Sequence, residues 1–115
     1  MQKVKLADAF LAISDHWSPV VAAELNGQQV KLVKLKGEFQ WHRHSNEDEL
    51  FLVVSGDLRI DLPDESIHLS AGEFLVVPKG VDHRSVAESE AEVLLFEPAS
   101  TVQTGDADAG GGPAD

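Results

Sequence analysis

The chain has 115 residues, 43% of them hydrophobic, with 20 Asp plus Glu against 9 Lys plus Arg, a formal net charge of −11 and no cysteine. That length suits one domain with a modest core, and the missing cysteines exclude disulfides and thiolate metal ligands, which fits a reducing cytoplasm. The acidic balance opposes the cationic face that nucleic acid or an anionic membrane requires, and no apolar run approaches the roughly 18 to 20 residues of a spanning helix.

Near the start, Leu6, Phe10 and Ile13 fall at helical spacing with alanines between them, which predicts one short helix or helical turn within residues 1–16. The same stretch lacks the long apolar run and small-residue cleavage site of a secretory signal, so a cytoplasmic protein is expected. From Pro19 the pattern is β. VVAAEL (20–25) leads into Asn26-Gly27, a hairpin signal because both positions tolerate positive φ, and QQVKLVKLK (28–36) ends at Gly37. Further short strands are expected at residues 39–44, 49–54, 57–62, 67–69, 74–77, 83–86 and 92–96, separated by Ser55-Gly56-Asp57, Pro63-Asp64, Ala71-Gly72 and Pro78-Lys79-Gly80.

Many short strands at close spacing predict an all-β sandwich or barrel. Several strands are apolar on both faces: Leu50, Leu52 and Val54 alternate with Phe51 and Val53, and Leu94 and Phe96 with Val93 and Leu95. The second face must be covered by another sheet, the N-terminal segment or a partner chain, and a homodimer is expected on that ground. The last stretch, QTGDADAGGGPAD, has almost nothing to bury, so residues 1–102 are expected to form a single domain and residues 103–115 a disordered tail.

The chemistry lies in two segments. On a strand, side chains two apart share a face, so His42 and His44 project together with Gln40 beside them, while Trp41 and Arg43 point the other way. Two imidazoles on one face are half of a metal site. Glu49 is an odd number of positions past His44, but the polar run Ser45-Asn46-Glu47-Asp48 reads as a turn that resets the phase. Glu49 and Phe51 then face the histidines. Asp48 competes for the same role; Glu49 is preferred because it begins the apolar strand. In the second segment a strand from Gly72 runs into Pro78-Lys79-Gly80, a turn that aims His83 at the start of the next strand.

Together these segments resemble the two motifs of the cupin superfamily, Gly-x5-His-x-His-x(3,4)-Glu-x6-Gly and Gly-x5-Pro-x-Gly-x2-His-x3-Asn. This sequence supplies His42-x-His44-x4-Glu49-x6-Gly56 and Gly72-x5-Pro78-x-Gly80-x2-His83, within a likeness spanning residues 18 to 98. It departs in having four residues between Gly37 and His42, and Ala87 in place of the final Asn. The nearer likeness is to compact one-domain members described as cupin domain-containing or mannose-6-phosphate isomerase-like. The resemblance implies a double-stranded β-helix, or jelly-roll β-barrel. It also implies one divalent metal ion (Fe, Mn, Ni, Co or Zn) held by His42, His44, Glu49 and His83, with isomerase- or oxygenase-type chemistry on a small organic metabolite. The alternative is a non-catalytic module that binds or senses a small molecule through the same site. Gln40 and Phe51 are expected to line the cavity, and no separate general base is evident. His68 should face outward, His16 should serve packing or a subunit contact, and Trp17 and Trp41 should belong to a core or an interface.

Overall fold

Alternating side chains and tight glycine turns produce seven strands and one short helix among residues 1–102 and Gly105, the part of the chain that this computed structural model describes. Apart from Gly105, the expected disordered tail lies outside the described residues.

The helix α1 covers only Leu6–Leu11 and has no side-chain cap on its first turn. It ends where the N–H groups of Ala12 and Ile13 fall back to the carbonyls of Ala9 and Phe10. Six residues cannot sustain a helix alone. Phe10 and Ile13 hold it by packing on Leu32, with Leu6, Ala9, Ala22, Val54 and Leu94 around them.

The strands are β1 Val20–Leu25, β2 Gln28–Glu38, β3 Glu49–Ser55, β4 Asp57–Asp61, β5 Ser66–Ser70, β6 Phe74–Val77 and β7 Arg84–Pro98. Asn26 and Gly27, at φ 51° and 79°, make the tight β1–β2 hairpin that the sequence predicts. All pairings between these strands are antiparallel, in the order β1-β2-β7-β3-β6, with β4 joining β7 on one side and β5 on the other. This is the expected all-β jelly-roll barrel with one N-terminal helix.

Two expectations need correction. Residues 83–86 and 92–96 do not form separate strands; β7 runs unbroken through Glu88, Ser89 and Glu90. On one edge its first residues, Arg84, Ser85 and Val86, pair with β4 and its later residues with β3, while β2 follows the other edge from Val86 to Pro98. Polar residues here mark where the strand crosses between layers, exposed, while Ala87 and Ala91 beside them are buried. Residues 39–44 are not a ladder strand either. They touch the facing chain through Phe39 N–H to Ser85 O and the single bridge His42–His83, because that chain is still leaving the Pro78-Lys79-Gly80 turn.

The inner faces meet in one core: Val33 and Leu35 of β2, Phe51 and Val53 of β3, Leu58 and Ile60 of β4, Leu69, Val77, and Ala91, Val93 and Leu95 of β7. No helix among the described residues is long and apolar enough to cross a membrane.

Candidate metal centre

The bridge that replaces the expected strand fixes two of the histidines. His42 N–H donates to His83 O at 3.0 Å and His83 N–H to His42 O at 2.9 Å, locking the two backbones side by side. Each ring then places Nδ1 at 3.0 Å from the carbonyl two residues upstream, that of Gln40 for His42 and that of Val81 for His83. A carbonyl only accepts, so each Nδ1 carries the hydrogen and donates. The Nε2 of the neutral ring is thereby left as a lone pair.

His44 is anchored through its backbone, whose carbonyl accepts from Gly80 N–H at 2.8 Å, so the second motif's turn is tied directly to the first motif. Asp48 fastens the same turn from outside: its exposed carboxylate accepts from Lys79 N–H at 2.8 Å. Glu49, not Asp48, turns inward. Glu49 Oε1 lies 3.3 Å from His44 Nε2 and 3.5 Å from His83 Nε2.

One ligand atom from each of His42, His44, Glu49 and His83 lies within 4.8 Å of the others, and all four residues are buried. The ring centroids are 4.4 Å apart for His42 and His83, 5.1 Å for His42 and His44, and 5.8 Å for His44 and His83. Neither ring nitrogen of His44 makes a hydrogen bond among the described residues, although the residue is only 3% exposed. A buried polar atom left so is costly. Three imidazoles and one carboxylate converging on a spot where such a nitrogen points are a donor set suited to a divalent transition metal.

Around the cluster, Phe51 is fully buried with its ring 6.0 Å from that of His83. Gln40 is half-buried and supplies its carbonyl to His42. Trp17 stacks on Phe39 at 5.2 Å, and Phe39 meets His42 edge-on at 5.2 Å, so an aromatic pair buttresses the first ring. Trp17 is held at φ 61° with its indole N–H donating to Lys36 O. The remaining candidates stand apart. His68 is exposed on β5, His16 pairs with Glu90 at 2.8 Å, and Trp41 lies exposed under the Arg84 guanidinium at 5.4 Å.

Sequence reasoning missed two inward ionisable groups. Glu97 is fully buried and accepts from Lys31 Nζ at 2.7 Å. Leu50 pairs with Phe96, so their neighbours Glu49 and Glu97 stand opposite one another on the inner face. Burial, then a hydrogen bond to Glu49 and that group's charge, push the Glu97 carboxyl up to about 8 against the pull of Lys31. Strand parity carried the signal: Lys31 alternates in step with Val33 and Leu35, and Glu97 with Val93 and Leu95.

A family profile described as Cupin domain matches residues 29–97. A solved structure of a cupin-2 domain containing protein from Shewanella frigidimarina NCIMB 400 superposes with a TM-score of 0.82 at 46% identity, covering 83% of this chain and 93% of that one. Protein NMB1881 from Neisseria meningitidis superposes with a TM-score of 0.78 at 34% identity, covering 85% of this chain and 100% of that one. The uncharacterized protein YdbB of Bacillus subtilis (strain 168) is 37% identical over 86 residues, which are 65% of this chain and 76% of its own.

Proposed function

The chain belongs to the cupin domain family, and on that premise we propose that His42, His44, Glu49 and His83 hold one divalent metal ion on which a small organic metabolite reacts. The observation that carries this reading is the convergence of the four ligand atoms, with two of the rings already set with Nε2 unprotonated. Imidazole and carboxylate suit iron, manganese, nickel, cobalt or zinc. When bound, such an ion supplies Lewis acidity toward a substrate oxygen or, if redox-active, electrons for oxygenase-type chemistry. The protein's own part is to orient the donors and to exclude water. The His42–His83 bridge and the Gly80–His44 bond do the first, and Phe51 with the Trp17–Phe39 pair does the second. Gln40 and Phe51 are the side chains assigned to the cavity wall, and the reaction class is isomerase- or oxygenase-type.

A non-catalytic binding module using the same metal is the second reading. It is favoured by the inner face beyond the polar cluster, which is lined largely by Val33, Val53, Val93 and similar apolar groups. Turnover separates the two readings. The metal-loaded protein is assayed on a panel of small oxo-acids, sugar phosphates and diketones with oxygen consumption recorded; product formation supports the enzyme, and saturable binding without turnover supports the module.

The metal itself is tested by elemental analysis of protein purified without an affinity tag. His42→Ala and His44→Ala are expected to abolish most of the bound metal and Glu49→Ala to weaken it clearly, whereas His68→Ala and Asp48→Ala leave it in place. Unchanged metal in the first two variants would overturn the assignment. We further propose that two copies associate through the apolar outer face of the sheet, in a cytoplasmic setting suited to a cysteine-free chain.

A further inference from the structure

We infer that Lys31 and Glu97 form a brace running from β2 through β7 to β3 that holds the Glu49 carboxylate in place and so sets the metal affinity of the centre. The inference rests on the metal reading above. Its ground is a buried lysine and a buried carboxyl group, in contact with each other on a part of the inner face otherwise lined by apolar side chains. Lys31 and Glu97 are 6% and 1% exposed, and their contact is 2.7 Å. Taking two such groups out of water is expensive, and a well-packed apolar pair in their place is often neutral or stabilising. Two carboxylates directly opposite on one sheet face are also unfavourable unless something binds them together. The fold therefore gains little from this arrangement for its own stability.

What the arrangement provides is direction. Glu49 presents Oε1 toward His44 and His83, and its side chain stands opposite that of Glu97 across the β3–β7 register on the inner face. Glu97 is in turn fixed by Lys31, whose other neighbours along β2 are the packed side chains Val33 and Leu35. Glu49 has several rotatable bonds and begins its strand straight after an exposed turn, so its backbone alone does not aim it. Lys31 and Glu97 are positioning residues that act through Glu49. Partners of this kind, bonded to a metal ligand, typically contribute about 10- to 100-fold in metal affinity.

The test titrates metal-free wild type, the double variant Lys31→Met/Glu97→Leu, Glu97→Gln and Glu49→Ala with Co2+ and Mn2+ by calorimetry. The Co2+ absorption spectrum and the thermal midpoint of each metal-free protein are recorded alongside. The double variant removes both polar groups and strands neither, so it is expected to keep or raise the metal-free midpoint. It is also expected to bind Co2+ about 10- to 100-fold more weakly, with a spectrum shifted toward that of Glu49→Ala. Glu97→Gln, whose amide can accept from Lys31 and donate to Glu49, is expected to retain affinity near that of the wild type. Should the double variant not fold, Glu97→Ala takes its place with the same expected loss. Wild-type affinity and spectrum in the double variant, or a loss in Glu97→Gln as large as its own, would overturn the brace while leaving the metal site standing. A wild type that binds neither ion would instead sink the metal reading itself.

Discussion

His42 and His83 reach the same chemical state by the same local device, an Nδ1–H donated to a carbonyl two residues upstream. That state exists only while the ring is neutral, because a doubly protonated imidazole has no lone pair to give. Metal occupancy should therefore fall as the pH drops below about 6, close to the ordinary imidazole pKa of roughly 6.5. Metal content after dialysis across a pH series measures this, and occupancy undiminished at pH 5 would contradict it. A second titration belongs to Asp61 at the end of β4. Asp61, at 6% exposure, accepts from Arg59 at 2.7 Å, Ser66 at 2.8 Å and Arg84 at 2.9 Å. These bonds, Arg59's first, hold its carboxyl well below the usual range although burial pushes the other way. A depressed carboxylate contributes stability that is present above the ordinary Asp pKa of about 3.9 and is lost as the pH falls through the lower folded value. Asp61→Asn should cost about 2 kcal/mol at pH 7, the scale of charged hydrogen bonds. The gap from wild type should narrow below about pH 4, as read from urea unfolding at each pH. At this scale the sequence was largely legible for the histidines, whose i, i+2 spacing and neighbouring turn glycines appear in the chain itself. It was not legible for Lys31, because QQVKLVKLK alternates for Val30, Leu32, Lys34 and Lys36 on one face and Lys31, Val33 and Leu35 on the other. Neither face is purely apolar, and only the sheet's curvature decides which is inside.

At the scale of elements, the turns were read more surely than the strands they separate. Asn26-Gly27 and Ser55-Gly56-Asp57 sit where expected because their backbone requirement is local. Gly56 shows why: it lies at φ 87°, and a Cβ there would stand 2.9 Å from Glu90 O and 3.1 Å from Ala91 Cα. Gly56→Ala should therefore destabilise the protein by about 1 to 3 kcal/mol, by strain at positive φ and by forcing β7 away, with chemical denaturation as the measurement. A change within a few tenths of a kcal/mol would show that the turn can relax. β7 was misread as two strands for the complementary reason. Its acidic middle carries no Gly or Pro, and a run of polar residues on a continuous strand looks like a loop until the strand is seen to leave one layer for another. The helix was legible in position but not in length, since its end depends on packing. Phe10 is 1% exposed against Leu32 and anchors a helix too short to stand alone. Phe10→Ala should cost about 3 to 5 kcal/mol and release α1 from the sheet.

The whole molecule has two kinds of apolar face, and only one of them is closed. The inner face is sealed by the opposing layer. On the outer face, α1 covers Leu32, Leu94, Val54 and Ala22 at the centre. Beyond it the cross-strand rows run out to the edge, from half-buried Leu52 to exposed Phe74 in one and from half-buried Phe96 and Leu50 to exposed Val76 in the next. Phe74 is 63% exposed and Val76 46%, on a strand that is also the sheet's edge. A second copy laid across these rows would remove them from water at about 25 cal/mol per Å2 of apolar surface, and a stable interface of this kind buries roughly 1,200 to 2,000 Å2 in total. Because a two-fold axis uses the same patch on both copies, one charge placed in it is repeated against itself. Phe74→Asp should therefore move the protein from dimer to monomer in sedimentation at micromolar concentration. Its barrel and metal content should stay unchanged, since Phe74 points away from the core while Leu75 and Val77 face it. A wild type that sediments only as monomer would refute the association, and a Phe74→Asp protein that remains dimeric would place the contact elsewhere, with the exposed Val20, Val21 and Leu25 of β1 as the remaining apolar edge.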